Sequence, residues 1–253
     1  MELNELNKYQ LGQIILIDKP LTWTSFEVVN KVKWLIRNEY KLKKLKVGHA
    51  GTLDPLATAL LVVCTGKFTK KINEIQVAEK EYTGIITLGA TTPSYDLEQE
   101  VDEEFSTEHI TEDLIQQTAQ SFIGEQEQIA PIHSAKKIDG KRAYELAREG
   151  KEVNIKSNII TIKEFEVEQC TLPEIEKVGD SKINQAEPYQ KGLHIKFRIV
   201  CSKGTYIRAI ARDFGKKLNS GGHLSELRRT RIGDYKVVIA QSIKEFTETY
   251  TPQ

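Results

Sequence analysis

The chain has 253 residues with 36 Lys and Arg against 36 Asp and Glu, a formal net charge of zero. That length holds one large domain or two small ones with ample core. The apolar runs are far too short to span a bilayer, and the polar start "MELNELNKYQLGQ" is unlike a secretory signal. The three cysteines, Cys64, Cys170 and Cys201, lie far apart with no Cys-x-x-Cys pair, the pattern of a reduced, cytoplasmic chain.

In chain order, Gly12–Pro20 reads as a buried strand ending at proline. Thr24 with Glu27 forms a capping box. Behind it, Val28, Val29, Val32, Leu35 and Ile36 make a helical stripe. A basic loop, "KLKKLK" (Lys41–Lys46), leads into "GHAGTLDPLATALL" (Gly48–Leu61), whose opening glycines read as a tight turn. "LLVVCTG" reads as a strand, "KFTKKINEI" as a short helix and "EYTGIITLG" (Glu81–Gly89) as a further strand. After an acidic loop (Asp96–Phe105), Thr111 caps a helix stopped by Gly124.

Ile132–Gly150 reads as a hairpin turning at Asp139-Gly140, followed by a helix. A strand near 158–170 precedes a polar, turn-rich excursion, Thr171–Gly192. The cleanest strand alternates Leu193, Ile195, Phe197, Ile199 and Cys201 with a more polar face. "SKGT" turns it into a helix with the core stripe Ile207, Ile210, Ala211, Phe214 and Leu218. A short helix and a strand pair, "RRTRIGDYKVVIA", complete the pattern. Strands and helices mix without strict alternation, so the expected class is α+β, with a mixed, largely antiparallel central sheet flanked by helices.

The candidate chemistry narrows by exclusion. The five histidines are isolated, with no metal-ligand spacing. Gly48-x-x-Gly51-Thr52 is neither a dinucleotide fingerprint nor a P-loop. Ser134 and Ser202 have no recognisable triad. Asp54 stands out, because it lies among Leu53, Leu56, Leu60 and Leu61. It reads either as a turn residue ahead of Pro55 or as an acid held ionised by an arginine. Arg208 is a candidate partner, or else an ordinary surface neighbour of Arg212. Tyr82 and Tyr206 read either as half-buried structural residues or as rings that stack on a flat ligand. The cations sort into runs at Lys41–Lys46, Lys67–Lys71, Lys136–Arg142 and Arg228–Arg231. These form either a basic face or scattered solvated surface.

Taken together and in order, these blocks resemble the TruB-type tRNA pseudouridine synthases, the family acting on the T-loop uridine at position 55. The resemblance rests on "GHAGTLDPLATALL", "DKP" (Asp18–Pro20), "EKEYTGIITLGATTPSYD" (Glu79–Asp96), "PIHSAKKIDGKRAYELAREG" (Pro131–Gly150), "CSKGTYIRAIARDFG" (Cys201–Gly215) and "HLSELRRTRIG" (His223–Gly233). It implies the pseudouridine synthase fold as a single catalytic domain over 1–253, with a thumb-like RNA-contacting insertion near 125–150 and no separate PUA module. By resemblance Asp54 is the catalytic aspartate, Tyr82 stacks on the uracil and is the proposed base, and Arg208 pairs with the aspartate. His49, Asp96, Tyr206 and Leu227 match residues around the flipped nucleotide, His49 also filling the gap in the RNA stack. Lys19 and Pro20 match a block more structural than catalytic.

Lys67, Lys136, Lys141 and Arg228 are candidate contacts to the RNA backbone, and binding of distal tRNA parts falls to the domain's own lysines. The resemblance implies no metal, no cofactor, no obligatory protein partner, no membrane and a monomer. Ala59 replaces a usual glycine, Pro93 a common aspartate, and Ala130–Ser134 departs from the usual Pro-Pro-x-Tyr-Ser. Rival readings are a hydrolase or phosphotransferase with Asp54 as nucleophile, a non-catalytic RNA-binding module, and a guide-RNA-dependent dyskerin-like enzyme. The first lacks a second acid two residues on, where Leu56 stands.

Overall fold

The computed structural model describes residues 7–132, 137–138, 141–142, 156–174 and 183–250. The chain divides into two compact units, Met1–Tyr82 with Arg228–Gln253, and Thr83–Leu227. In chain order the first elements are α1 (Lys8–Leu11), β1 (Ile14–Lys19), α2 (Ser25–Glu39), β2 (Val47–His49) and β3 (Ala57–Thr65). A 3-10 helix, Gly66–Lys71, then runs into α3 (Ile72–Val77), so the expected short helix is divided in two, and β4 (Lys80–Leu88) follows. Next come β5 (Ala90–Thr91), β6 (Glu103–Glu104), α4 (Glu112–Gln120), β7 (Gly124–Gln128) and the pair β8 (Lys137–Ile138) and β9 (Lys141–Arg142). After them stand β10 (Asn158–Cys170), β11 (Leu193–Cys201), α5 (Ile207–Lys217) and β12 (Gly222–Ile232). The chain closes with β13 (Tyr235–Lys236), β14 (Gln241–Ser242) and α6 (Ile243–Glu248). The class is α+β with a mixed, largely antiparallel sheet, as expected.

In the first unit, β1 and β3 pair antiparallel from Ile14↔Cys64 to Lys19↔Ala59. β14 joins the outer edge of β1 in parallel, and β2 pairs with the end of β3. β3 is buried from Ala59 to Thr65 without alternation, the mark of a strand covered on both faces. α2 begins at the expected capping box: Thr24 accepts from the Glu27 N–H, and Glu27 accepts from the Thr24 N–H. Its stripe Val28, Val29, Val32, Leu35 and Ile36 is buried as the spacing predicts.

In the second unit, β11 pairs antiparallel with β10, and β10 with β7. Phe122, Phe165, Phe197 and Phe214 meet at ring-centroid distances of 5.6 to 6.4 Å and form its aromatic core. The expected stripe of α5 is buried throughout. The short helix expected just before "RRTR" is not formed, because Leu224–Leu227 belong to β12. Leu-Ser-Glu-Leu is compatible with helix locally, but packing against β4 decides. There the main chain at Gly84 lies so close to the Glu226 carbonyl that an added Cβ would stand 2.1 Å from its oxygen. Much of the expected hairpin and helix at Ile132–Gly150 lies outside the described residues, as does the middle of the polar excursion at 175–182.

Candidate active site

The Gly-His-Ala-Gly stretch is more than a turn. Val47–His49 is strand β2, and the loop after it carries Asp54 before β3 begins. Gly51 has φ +102°, a conformation that suits glycine. Asp54 opens a tight turn with Pro55 next to it, closed by the Ala57 N–H donating to the Asp54 carbonyl at 3.1 Å. The turn reading of Asp-Pro therefore holds for the main chain, while Asp54 itself is half-buried.

Side chains from three other elements fix this loop. Ser25, the first residue of α2, accepts from the Leu53 N–H at 3.0 Å. Lys19, at the end of β1, donates to the carbonyls of Pro20 (2.9 Å), Trp23 (2.7 Å) and Pro55 (3.2 Å). Arg229 on β12 donates to the Leu60 carbonyl at 2.9 and 3.1 Å and to the Gly51 carbonyl at 3.2 Å. Both cations are inside the protein, Lys19 at 0 % and Arg229 at 1 % exposure. Burial pushes the Lys19 ammonium down to about 7, opposed by the charge of Asp54 and reinforced by Arg229. Burial likewise lowers Arg229, while a hydrogen bond with Tyr82 supports its charge.

Tyr82 is a buried residue of β4, so its sequence reading as half-buried understates its enclosure. His49 is half-buried, and burial holds its imidazole below the usual range, the Gly51 backbone opposing and Arg229 adding to the effect. It is therefore neutral at pH 7. Arg229 was hidden in the basic run Arg228–Arg231, and that run is not a solvated patch. Arg228 makes a two-pronged pair with Asp18 at 2.6 and 3.1 Å, and Arg231 pairs with Glu79 at 2.9 Å. Lys67 is exposed on the 3-10 helix.

The second unit carries the other candidates. Arg208 is buried, which removes its reading as a surface neighbour of Arg212. Its Nε lies 3.6 Å from Asp96 Oδ2, and its Nη1 donates to the Ser94 carbonyl at 3.1 Å. Asp96 also accepts from the Glu98 N–H at 3.0 Å, while Thr92 and Ser94 donate to its carbonyl. A buried pair of this kind is costly to desolvate and is kept by such extra bonds. Tyr95 has φ +60° and carries the Arg212 guanidinium over its ring at 5.3 Å.

Tyr206 is the N-cap of α5 without a side-chain cap of its own. Gln128 holds the Tyr206 main chain instead: its oxygen accepts from the Tyr206 N–H at 2.8 Å, and its amide donates to the Tyr206 carbonyl at 3.2 Å, which also accepts from the Ile210 N–H. Leu227 is half-buried at the middle of β12. Lys136 lies outside the described residues, and Lys141 stands on β9, paired with Ile138 of β8. Gln128, Ser25 and Arg229 carry no motif of their own and emerge only from the geometry.

The chain is similar to known proteins over most of its length. The family model described as "TruB family pseudouridylate synthase (N terminal domain)" matches residues 37–207. The "tRNA pseudouridine synthase B" of Flavobacterium johnsoniae is 55 % identical over 96 % of this chain and 97 % of its own length. The protein of the same name from Phocaeicola vulgatus is 50 % identical over 95 % of this chain and 94 % of its own. Among solved structures, "Crystal Structure of a Cbf5-Nop10-Gar1 Complex" contains a chain with TM-score 0.64 and 28 % identity over 96 % of this chain. This chain spans 55 % of that protein's length. With a matching family model over most of its length and relatives identical at half or more of their positions, the chain belongs to the TruB family of pseudouridylate synthases.

Proposed function

We propose that this protein converts the T-loop uridine at position 55 of tRNA to pseudouridine, with Asp54 as the reacting carboxylate. The bond from C1′ to N1 breaks, the uracil turns, and C1′ bonds to C5. The proton leaves C5 and N1 gains one, so no redox partner or transferred group enters the balance. The observation that carries the assignment of Asp54 is the way its loop is held. Lys19, Ser25 and Arg229 grip the main chain on both sides of Asp54, the preorganisation that positioned catalysis requires.

Tyr82 is assigned to stack on the uracil and to take the C5 proton. A phenol is a weak base unless its setting helps, and the buried Arg229 beside Tyr82 is such a setting. Arg208, fixed by Asp96 and the Ser94 carbonyl, supplies a buried cation to the reaction. His49, Asp96, Tyr206 and Leu227 are assigned to the flipped nucleotide. Extrusion of a stacked base costs a few kcal/mol, which stacking on Tyr82 and gap filling by a neutral His49 offset. The chain is assigned to work as a cytoplasmic monomer without a protein partner.

The test is Asp54→Asn, assayed for pseudouridine in tRNA by nucleoside chromatography. The expected result is no detectable product, with tRNA still bound. Wild-type turnover by this variant would overturn the assignment. Arg208→Ala, folded but slow, is the companion expectation.

A further inference from the structure

Arg208 and Arg212 stand one turn apart on α5, and three consecutive residues of the second unit receive them. Arg208 is taken by Ser94 and Asp96. Its Nη1 donates to the Ser94 carbonyl at 3.1 Å, and its Nε lies 3.6 Å from Asp96 Oδ2. Arg212 is taken by the residue between them, with its guanidinium 5.3 Å from the centre of the Tyr95 ring, within the range of a cation–π contact. Like charges four residues apart on a helix repel, so both cations depend on the partners that this short stretch supplies.

Tyr95 is a constrained residue. Its φ of +60° lies in the left-handed region, which a bulky side chain rarely adopts. Such a conformation persists only where the surroundings over-determine it. Here the Tyr95 N–H donates to the Thr92 carbonyl at 3.1 Å, and the Tyr95 carbonyl accepts from the Leu224 N–H at 2.9 Å. Thr92 Oγ1 closes the stretch by donating to the Asp96 carbonyl at 2.8 Å. The carbonyl before the left-handed residue and the carboxylate after it thus meet one guanidinium.

Arg212 is a fixed post. Its Nε donates to Asp213 Oδ1 at 2.7 Å, and its Nη2 donates to Asp213 Oδ2 at 2.9 Å and to the Ile129 carbonyl at 3.1 Å. Burial opposes its charge, but Asp213 and a hydrogen bond with Tyr95 outweigh burial and hold the group above its usual range. Its side chain is only 22 % exposed. The guanidinium therefore joins Tyr95 to the end of β7 and to its own helix. A group engaged in this way suits the support of a site better than the capture of a phosphate.

We propose that Tyr95 and Arg212 form a latch of positioning residues for the isomerisation: the ring packed against Arg212 holds residues 92–96 in the form that presents the Ser94 carbonyl and Asp96 to Arg208. The proposal rests on the assignment of Arg208 to the reaction. It is tested by turnover and by Kd over a salt series, both on a T-arm stem-loop. Tyr95→Gly removes the ring and accepts the left-handed backbone without strain. Arg212→Met removes the guanidinium, and Tyr95→Phe keeps the ring. The first two are expected to lower kcat on the order of tenfold or more, with Kd within twofold and the salt slope unchanged. Tyr95→Phe should stay within threefold of wild type. In Tyr95→Gly/Arg212→Met the loss should not exceed the larger single loss, because both residues act through one contact.

Losses that multiply, an unchanged kcat in Tyr95→Gly and Arg212→Met, or a Tyr95→Phe as slow as Tyr95→Gly overturn the latch. So does a loss confined to Kd with a salt slope lower by ~0.9, the mark of a phosphate contact. Should Arg212→Met melt early, Tyr95→Gly against Tyr95→Phe decides. Full turnover by Arg208→Ala overturns the assignment of Arg208 instead.

Discussion

Lys19→Met isolates what a buried ammonium does beneath the Asp54 loop. Three carbonyl acceptors surround Nζ, and only the ammonium has three N–H donors to match them. Burial works against that charge and pushes the group from 10.5 down to about 7. The unfolded chain keeps its proton up to about pH 10.5, whereas the folded one releases it near pH 7. Between those limits the unfolded state binds more protons, so this group makes stability rise with pH.

At pH 7 the folded lysine is half protonated, and the handicap is on the order of 4 kcal/mol. At pH 9 it is on the order of 2 kcal/mol. Methionine carries no such pH dependence. The stability of wild type relative to Lys19→Met should therefore grow by about 2 kcal/mol from pH 7 to pH 9. Urea midpoints of both proteins at both values measure it, and the other ionisable groups cancel in the difference. Beneath the pH dependence lies a constant loss, since the Pro20 and Trp23 carbonyls lose a donor worth about 1–3 kcal/mol each. The Pro55 carbonyl keeps the Thr22 N–H at 2.9 Å. A difference that stays flat within about 0.5 kcal/mol of its pH 7 value would refute Lys19 as the titrating group. In the same variant kcat should fall on the order of tenfold or more with KM nearly unchanged, because the residue next to Asp54 is less firmly held.

Arg229→Met leaves the carbonyls of Leu60 and Gly51 without the guanidinium, so it should lower stability by about 2–4 kcal/mol and slow isomerisation. Thermal melts with parallel turnover assays check it, and an unchanged melt with full turnover contradicts the pinning role. His223 is buried, bonds the Ala90 carbonyl through Nδ1 at 3.0 Å, and is lowered by burial. Its folded value lies below the ordinary 6.5, so the stability it confers is present above pH 6.5 and is lost as the pH falls. His223→Gln should flatten the drop in melting temperature between pH 6.5 and 5, and an unaltered pH profile speaks against it.

What was legible in the sequence was whatever depends on local pattern. The Thr24–Glu27 box and the α2 and α5 stripes are nearest-neighbour rules that the folded chain obeys, whereas the alternation of β11 holds only from Ile195 to Ile199, His194 and Val200 of the expected polar face being buried too. The same box at Ser242 and Glu245 marks α6. Leu224–Leu227 went the other way, because the partner strand that makes it β is far off in sequence. The site divides along the same line. Asp54 was visible as an acid among leucines, but the cations that grip its loop were not. Lys19 reads as the polar end of an apolar strand, and Arg229 is one basic residue in a run of them. Nothing local says that Arg228 turns to Asp18 while Arg229 turns inward. Such roles are assigned by tertiary burial, which single-sequence periodicity does not carry.

The two readings of Asp54 that the sequence left open are not rivals. The turn uses its main-chain carbonyl, which accepts from Ala57, together with the fixed φ of Pro55. Neither depends on a negative side chain, and asparagine occupies such a turn position as readily as aspartate. The loop is also held through main-chain groups of Gly51, Leu53 and Pro55, which the substitution leaves in place although it removes a charge that favours the Lys19 ammonium. Asp54→Asn therefore keeps the shape of the loop and removes only the charge. If Asp54 were a turn residue alone, the variant would retain both fold and turnover. If its carboxylate reacts, the fold survives and turnover is lost, so the two roles separate in a single protein.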